Sequence, residues 1–217
     1  MMARPIGRLT KGNRMSRKQL SLVMAALALA LAPASVALPA EPEQACMDCH
    51  GKGGASTEDD VPSIGGVSEQ YLLDSMAAYR DSKRPCPETK FRAGDTKRPK
   101  TDMCKVASKL SAEDFARVAK TFAGKPFVKA KQPFDKAKAA SGKKVHDLQC
   151  EKCHSEGGAA PDDDAGILAG QWMGYMKETF AQYSKGARPQ PEKMKVKYNA
   201  LKPGELEALL NYYASQQ

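Results

Sequence analysis

The feature that most constrains this chain is an internal repeat that carries one short motif twice. Shifted by 104 positions, residues 46–85 lie on residues 150–189 without a gap, and fourteen of the forty positions are identical. The identities include Cys-x-x-Cys-His at the start of each segment and Arg-Pro at its end. A duplicated segment of this length predicts two copies of one structural unit in tandem.

Beyond the Arg-Pro pairs, the register of the repeat changes. At an offset of 91, Met103 aligns with Met194, so the first copy carries a 13-residue insertion between Pro85 and Met103. Cys86 and Cys104 stand at the two ends of the longer loop. The two copies are therefore expected to share most of their structure and to differ at this loop.

The apolar periodicity in both copies is that of α-helices, and no stretch alternates convincingly as a strand does. The first copy predicts a helix over 70–80 and another that starts at Ser111 and stops at Gly124. The second predicts helices over about 134–148 and 201–214. The expected fold class is all-α.

The organisation of the chain follows from the repeat and from composition. Two prolines and several lysines between the copies predict a linker. The expected divisions are a signal peptide at 1–37, an N-terminal domain at 38–124, a linker at 125–133 and a C-terminal domain at 134–217. Each domain is small, so a bound cofactor would supply much of its core.

The first 37 residues have the order of a secretory signal peptide. Six basic residues without an acid precede an apolar run over 20–32, and Ser35-Val36-Ala37 supplies a small-x-small cleavage site. The alternative is an uncleaved anchor, but thirteen apolar residues fall short of the roughly 20 that a spanning helix needs. We therefore expect export to the periplasm and no membrane span in the mature chain.

Removal of this segment changes the charge of the chain. It takes six of the 34 basic residues and none of the 25 acidic ones, which leaves a net charge of +3. The basicity therefore belongs mainly to the targeting segment. The scattered lysines with few aromatic residues also argue against a nucleic-acid-binding surface.

The Cys-x-x-Cys-His motif is the attachment sequence of a c-type haem. Its two cysteines can add to the two vinyl groups of one porphyrin, and the histidine that follows can then reach the iron. The attachment residues would be Cys46, Cys49, Cys150 and Cys153, and the proximal ligands His50 and His154. A shared zinc site fits poorly with the long spacing between the motifs, and a thioredoxin-like dithiol lacks its βαβ context. We expect two covalent haem c groups.

Whether the protein supplies a sixth ligand to each iron decides between electron transfer and chemistry at the metal. His146 precedes the second motif on the proximal side, so we expect it to be an exposed or packing residue. Met103 and Met194 occupy equivalent positions in segments that we expect to be loops, and we predict that they are the distal ligands. Other methionines lie on predicted helices, where packing is the expected role: Met76, Met173 and Met176.

Histidine–methionine ligation would fill both axial positions of each iron and raise its reduction potential relative to bis-histidine ligation. A saturated iron has no open position for a substrate, which favours an electron carrier over a peroxidase, oxygenase or gas sensor. A ligand-binding or peroxidatic haem protein remains the alternative class. Five residues are candidates either for contacts with a haem or for packing: Tyr71, Arg84, Trp172, Tyr175 and Arg188.

The longer loop of the first copy, residues 83–105, contains eight basic and three acidic residues. In an oxidising compartment, Cys86 and Cys104 favour a disulfide. It would close a loop of about 17 residues, stabilise the chain by about 3 kcal/mol in the chain-entropy model, and steady Met103. The charge run predicts either a solvated loop or a docking patch for an acidic partner.

The two motifs in tandem resemble the dihaem cytochromes of the cytochrome c4 type, which consist of two class I cytochrome c domains. A narrower set of residues begins at about Lys131. It comprises Phe134-Asp135, Gly142-Lys-Lys-Val-His-Asp147, Cys150-Glu-Lys-Cys-His154, Glu156-Gly-Gly158, Ile167-Leu-Ala-Gly-Gln-Trp172, Arg188-Pro189, Lys193-Met194 and Tyr213-Ala-Ser-Gln-Gln217. This set is similar to the cytochrome subunit of flavocytochrome c sulfide dehydrogenase.

The resemblance implies two tandem class I cytochrome c domains, each wrapped around one covalently bound haem. It also implies a periplasmic partner subunit with FAD that oxidises sulfide and passes electrons singly to the haems, and a downstream cytochrome or oxidase. The chain itself would be the electron-transfer subunit of that sulfide:cytochrome c oxidoreductase. A free cytochrome c4-like carrier that serves a terminal oxidase is the alternative.

The resemblance also assigns roles to residues. It implies that Met194 is a distal ligand; Met103 follows from its equivalent position, although the insertion before it departs from that subunit. Pro62 lies twelve residues after His50, where many class I cytochromes place a proline whose carbonyl holds the histidine. Gly166 stands at the same place in the second copy.

Overall fold

The first Cys-x-x-Cys-His motif lies on a helix in the computed structural model, which describes residues 41–217. Helix α1 (Pro42–His50) begins with a proline, whose fixed φ suits the first turn. Gly51 follows the last residue with a φ of 79°, a conformation that an L side chain rarely adopts. The expected signal peptide lies outside the described residues.

The remaining helices of the first copy each begin at a side-chain cap. They are α2 (Glu69–Arg80), α3 (Met103–Ala107) and α4 (Ala112–Ala123). Ser68 caps α2 and Asp102 caps α3, each by accepting a hydrogen bond from a backbone N–H of the first turn. Ser111 and Asp114 form a reciprocal capping box at the start of α4, the point where the sequence predicts that this helix begins.

The second copy contains five α-helices in the described chain. They are α5 (Lys136–Gln149), α6 (Ser155–Gly158), α7 (Met173–Ser184), α8 (Glu192–Asn199) and α9 (Glu205–Ala214). Helices α2 and α7 coincide residue for residue at the offset of 104. Helix α9 starts four residues later than predicted because Pro203 and Gly204, with a φ of 85°, interrupt the pattern.

The expected loop around Met194 is wrong, since this methionine lies inside α8. Pro191 stands at the N-cap of α8 and Glu192 in its first turn, where its charge favours the positive end of the helix dipole. Met103 likewise begins α3 and does not lie in a loop. Both corrections have the same cause: a proline or an aspartate directly before the methionine segment starts a short helix.

Equivalent backbone hydrogen bonds join a loop glycine to the last helix in each copy. The N–H of Gly66 donates to the carbonyl of Phe122 at 2.9 Å, and that of Gly170 donates to the carbonyl of Tyr213 at 2.8 Å. Both glycines have positive φ, and a Cβ at Gly66 would lie 2.5 Å from the backbone nitrogen of Phe127. A glycine is therefore required at this point of each copy, which explains its identity in the repeat.

Each copy has its own hydrophobic cluster. Phe122, Phe115 and Val118 of α4 centre the first, and Tyr213, Leu209 and Leu210 of α9 centre the second. The described residues contain no strand beyond an isolated bridge between Thr89 and Thr101, so the all-α fold class is confirmed. In residues 41–217, no helix has the length and apolar character needed to cross a membrane.

Direct hydrogen bonds join the two copies into one compact unit. The side-chain amide of Gln171 accepts from the backbone N–H of Ser63 and donates to its carbonyl, both at 2.9 Å. The indole N–H of Trp172 donates to the carbonyl of Ser56 at 2.9 Å. Asp59 accepts from the backbone N–H of Gly174 at 2.8 Å. These bonds fix the first copy against the start of α7.

Candidate haem sites

A cavity of about 140 Å³ lies among the helices of the first copy. Cys46, Cys49 and His50 of α1 line it, and so does Met103 of α3. Other parts of the wall are apolar side chains: Ile64, Val67, Leu72, Val118 and Phe122. The structure thus brings the attachment cysteines, the predicted proximal histidine and the predicted distal methionine of the first copy to one cavity.

The orientation of His50 is fixed by a hydrogen bond. Its Nδ1 lies 2.8 Å from the carbonyl oxygen of Pro62, the contact that the sequence resemblance implies. A carbonyl only accepts, so Nδ1 carries the proton and Nε2 keeps its lone pair free for a metal. Burial lowers the pKa of His50, opposed by the Pro62 carbonyl, and this favours the neutral, ligating form of the ring.

The two cysteines of the first motif are partly buried beside His50. Burial, with the charge of Glu43, raises the pKa of Cys46 to about 12. Burial also raises the pKa of Cys49, although Arg92 and Arg98 oppose the effect. Such sites disfavour a thiolate and suit an uncharged sulfur, which is what a thioether to a porphyrin provides.

Two buried arginines place positive charge between the copies that no carboxylate of the described residues balances. Arg84 and Arg188 are 7% and 8% exposed. The guanidinium of Arg84 donates to the hydroxyl of Tyr175 at 3.4 Å, and that of Arg188 donates to the hydroxyl of Tyr71 at 3.5 Å. Nε of Arg84 and one terminal nitrogen of Arg188 are buried without a hydrogen-bond partner among the described residues. Neither arginine forms an ion pair with a carboxylate there.

The charge of the two arginines acts on Tyr175. Burial alone would raise the pKa of Tyr175, but the guanidinium groups of Arg84 and Arg188 outweigh it and lower the pKa to about 8. Arg84, Tyr71 and Tyr175 also line the cavity that holds His50. Carboxylates are the natural partners of such buried arginines, and each haem c carries two propionates. The residues present therefore fit a haem.

The second motif follows α5 in a tight turn, in which the N–H of Cys153 and that of His154 both donate to the carbonyl of Cys150. Cys150 and Met194 pack against the same hydrophobic cluster. Burial and the nearby His146 lower the pKa of His154, and the charge of Asp163 and the Gly166 backbone act in the opposite direction.

His146 is completely buried and does not approach the cavity of the first copy. Its Nδ1 lies 3.0 Å from the hydroxyl of Tyr213, and its Nε2 lies 2.5 Å from a carboxylate oxygen of Glu151. Both ring nitrogens have partners, so His146 has the packing role that was one of the two expectations. The partner Glu151 was not foreseen, because it becomes adjacent only through the turn at Cys150.

The remaining methionines and the tryptophan have different positions. Met76 shares the first cavity with Met103, whereas Met176 is 2% exposed in the core of the second cluster and Met173 packs against its edge. Position 180, the repeat equivalent of Met76, is a phenylalanine, so only Met103 has a methionine counterpart. Trp172 contacts the first copy but does not line its cavity.

The inserted loop folds over the first motif. Cys86 and Cys104 are joined by a disulfide. The backbone N–H groups of Arg92 and Ala93 both donate to the carbonyl of Asp48, the residue just before Cys49. Phe91 enters the cavity wall, a position that sequence reasoning missed. The available signal was one aromatic residue in an otherwise charged loop.

Comparisons with known proteins agree with this geometry. The chain is 28% identical to cytochrome c4 of Azotobacter vinelandii over 155 residues, 66% of this chain and 69% of the relative. It is 26% identical to a thiosulfate dehydrogenase electron acceptor of Thiomonas intermedia over 167 residues, 72% of this chain and 70% of the relative. No family model matches the chain.

A solved structure has the same fold. The chain superposes on reduced recombinant cytochrome c4 from Pseudomonas stutzeri with a TM-score of 0.63 at 22% identity, covering 80% of this chain and 95% of that one. The fold is therefore that of two class I cytochrome c domains in tandem.

Proposed function

We propose that this chain is a periplasmic dihaem electron carrier that accepts electrons from a dehydrogenase of reduced sulfur compounds. The observation that carries the proposal is the meeting of His50, both motif cysteines and Met103 at one apolar cavity, with the same residue types repeated in the second copy. When bound, haem c supplies an iron that cycles between ferric and ferrous states by one electron.

The chain's own residues hold and tune this group. Cys46 and Cys49 attach the first haem, and Cys150 and Cys153 attach the second. His50 and His154 would ligate the irons, and the carbonyl of Pro62 holds the His50 ring in orientation. Arg84 and Arg188 neutralise propionates at the junction of the copies. The apolar walls exclude water, which keeps the reorganisation of solvent around the iron small during electron transfer.

Met103 and Met194 complete the two irons and leave no position for a substrate. We test this with Met103→Ala and Met194→Ala in the holoprotein. Each variant is expected to lose about half of the weak red absorption band of methionine-bound ferric haem, because one of the two irons changes its ligand, and to gain carbon monoxide binding at one iron. Met76→Leu serves as the control and leaves the band unchanged.

If Met76→Leu removes the band of the first copy, the assignment of Met103 is wrong. If the unmodified reduced protein binds carbon monoxide at both irons, the electron-carrier proposal fails and a ligand-binding haem protein takes its place.

Two observations bear on the donor. The residue set from Lys131 to Gln217 supports an FAD-containing sulfide dehydrogenase subunit, with this chain as its cytochrome subunit. The similarity to a thiosulfate dehydrogenase electron acceptor supports a second candidate, in which the chain is a separate carrier of the cytochrome c4 kind.

Purification from the native host separates the two candidates. A stoichiometric FAD chain and haem reduction by sulfide support the first. A cytochrome that purifies alone and is reduced by thiosulfate only when a dehydrogenase fraction is added supports the second and removes the first.

A further inference from the structure

A chain of hydrogen bonds links the core of the second copy to solvent. The ring of His146 is completely buried, with its Nδ1 3.0 Å from the hydroxyl of Tyr213 and its Nε2 2.5 Å from a carboxylate oxygen of Glu151. Tyr213 is buried as well, whereas 42% of the Glu151 side chain is exposed. Because Glu151 reaches water, the buried pair of imidazole and carboxylate can exchange a proton with solvent.

The positions of this chain are occupied differently in the first copy. The repeat places residues without an ionisable group at the positions of His146, Glu151 and Tyr213, namely Pro42, Met47 and Phe122. The first haem site is therefore an internal reference for any property that depends on the three side chains of the second copy.

The acids near the first motif are paired with arginines instead. Asp48 forms an ion pair with Arg98 at 2.5 Å. Arg92 pairs with Glu58 at 2.8 Å and with Asp60 at 2.6 Å. A guanidinium keeps its proton at every physiological pH, so the charge of these pairs is fixed. An imidazole paired with a carboxylate differs, because an imidazole gains or loses its proton in the neutral range.

The titratable and charged groups around the His146 ring come from α5, the motif turn and α9. They are Lys143, Asp147, Cys150, Glu151, His154, Tyr212 and Tyr213. Burial raises the pKa of Tyr212 and that of Tyr213, so both remain hydroxyls in the neutral range. Helix α6 adds a backbone group, the N–H of Gly157, which donates to the carboxylate of Glu151 at 3.2 Å.

The other neighbours of the ring are occupied. Asp147 forms an ion pair with Lys143 at 2.7 Å, and this contact raises the pKa of the lysine, which stays charged. In the proposed carrier, Cys150 attaches the second haem and His154 ligates its iron. The buried imidazole–carboxylate pair is therefore the group of this cluster that is free to gain or lose a proton.

This pair lies next to the second motif. The N–H groups of Cys150 and Glu151 both donate to the carbonyl of His146, at 2.8 and 2.9 Å. Burial, and after it the charge of His146, lowers the pKa of His154, so the two rings interact electrostatically. Reduction of an iron at His154 removes one positive charge from this site. A proton on His146 is then repelled less and binds more tightly.

We infer that the pair of His146 and Glu151 binds one proton when the second iron is reduced and releases it when that iron is oxidised, a coupling that rests on the proposed carrier function. One electron leaves the donor, which is oxidised, and the iron at His154 changes from ferric to ferrous. One proton from water adds to Nδ1 of His146, whose Nε2–H stays bonded to Glu151. The oxygen of Tyr213 accepts the hydrogen bond from the new N–H, and reoxidation of the iron reverses both steps.

The coupling is tested by potentiometric titration of the holoprotein at several values between about pH 5 and pH 8, the range in which histidine changes its charge. Nuclear Overhauser contacts with Val118, which lines the first cavity, identify the first haem. Because the reduced state binds the proton more tightly, the midpoint potential of the second iron should fall as the pH rises. One proton per electron changes the reduction equilibrium tenfold per pH unit, or about 59 mV for a one-electron couple, and this is the largest slope expected.

Glu151→Gln keeps an oxygen beside Nε2 of His146 but removes the charge that balances a buried imidazolium. The ring should then stay neutral, and the second potential should lose its fall with pH. His146→Gln should have the same effect; if it does not fold, Glu151→Gln, at a partly exposed position, decides alone. The matched control is Asp147→Asn, which removes the same charge from the neighbouring exposed residue and should leave the slope unchanged. The pH profile of the first iron should be the same in every protein.

The proton itself is measured with a pH indicator in weakly buffered solution, with hexaammineruthenium(II) as a reductant that gives up an electron without a proton. On reduction, the unmodified protein and Asp147→Asn should take up more protons than Glu151→Gln. Equal proton uptake and equal slopes of the second potential in all of these proteins would overturn the inference. A second iron that is not reduced and reoxidised reversibly would instead contradict the carrier function on which the coupling rests.

Discussion

The two copies share a backbone plan and differ in how their sites meet solvent. In both, the N–H of a glycine donates to a carbonyl of the last helix: Gly66 to Phe122 in the first copy and Gly170 to Tyr213 in the second. The first copy then adds a disulfide-bounded loop that covers its motif. The second adds no cover and instead buries His146 between Tyr213 and Glu151. The two copies therefore keep one backbone plan, while the exposure of their two motifs differs.

This difference suggests a division of roles. Phe91 of the inserted loop and residues from the second copy form part of the wall of the first site. The second site is open at Cys153. In the proposed carrier, a covered centre and an exposed one would give the molecule a direction along which electrons can pass.

The largest loss of stability is expected at the core position of the last helix in the first copy. Phe122 is fully buried, and Phe122→Ala should lower the free energy of unfolding of the first copy by about 3–5 kcal/mol through lost burial and a cavity. Hydrogen exchange of amides in α2 and α4 measures this loss, and Lys120→Ala, an exposed change on the same helix, is the control. An equal loss in α7 and α9 would mean that the copies unfold as one unit.

Sequence predicted the elements that depend on local chemistry. Helix α4 begins after Ser111 and ends before Gly124 as expected, and the helix expected over 70–80 is present as α2. The Pro62 carbonyl faces His50 because twelve residues of loop return to the motif in the way that the resemblance implies. These features follow from short stretches of chain, whose caps, breakers and periodicity determine the conformation.

Features that depend on distant contacts were not predicted. The loop's arginines looked available for a partner because Glu58, Asp60 and Asp48 lie more than thirty residues away. The burial of His146 likewise depends on Tyr213, 67 residues later. Pairing of this kind is set by the tertiary fold, and the ligand roles of Met103 and Met194 stay predictions.

The next effect concerns the loop that only the first copy has. Replacement of both Cys86 and Cys104 by serine should lower stability by about 3 kcal/mol in the chain-entropy model. Because Met103 is the chain neighbour of Cys104, the methionine band of one haem should also weaken.

Hydrogen exchange over residues 85–107 and the ferric absorption spectrum measure these changes, and the amides of the second copy serve as the internal control. Faster exchange confined to the second copy would contradict the assignment of the loop as the first copy's cover.

A smaller effect is expected from the buried polar cluster of the second copy. Tyr213→Phe removes the hydroxyl that lies 3.0 Å from Nδ1 of His146 and leaves a buried ring nitrogen unpaired. The expected loss is about 1–3 kcal/mol, measured by denaturant unfolding. Tyr212→Phe is the matched control, since the Tyr212 hydroxyl makes no hydrogen bond within the described chain. Equal losses for both variants would assign the effect to packing and not to the bond with His146.

The smallest effect compares the starts of the two last helices. Ser111 caps α4, whereas Gly204 at the start of α9 offers no side chain. Ser111→Ala should cost about 1 kcal/mol, because the N–H of Asp114 loses its acceptor. Ser111→Thr keeps the hydroxyl and should remain near the unmodified stability. Hydrogen exchange of the first turn of α4 measures the change. If Ser111→Ala leaves that exchange unaltered, α4 is held by its packed face alone, as the uncapped α9 must be.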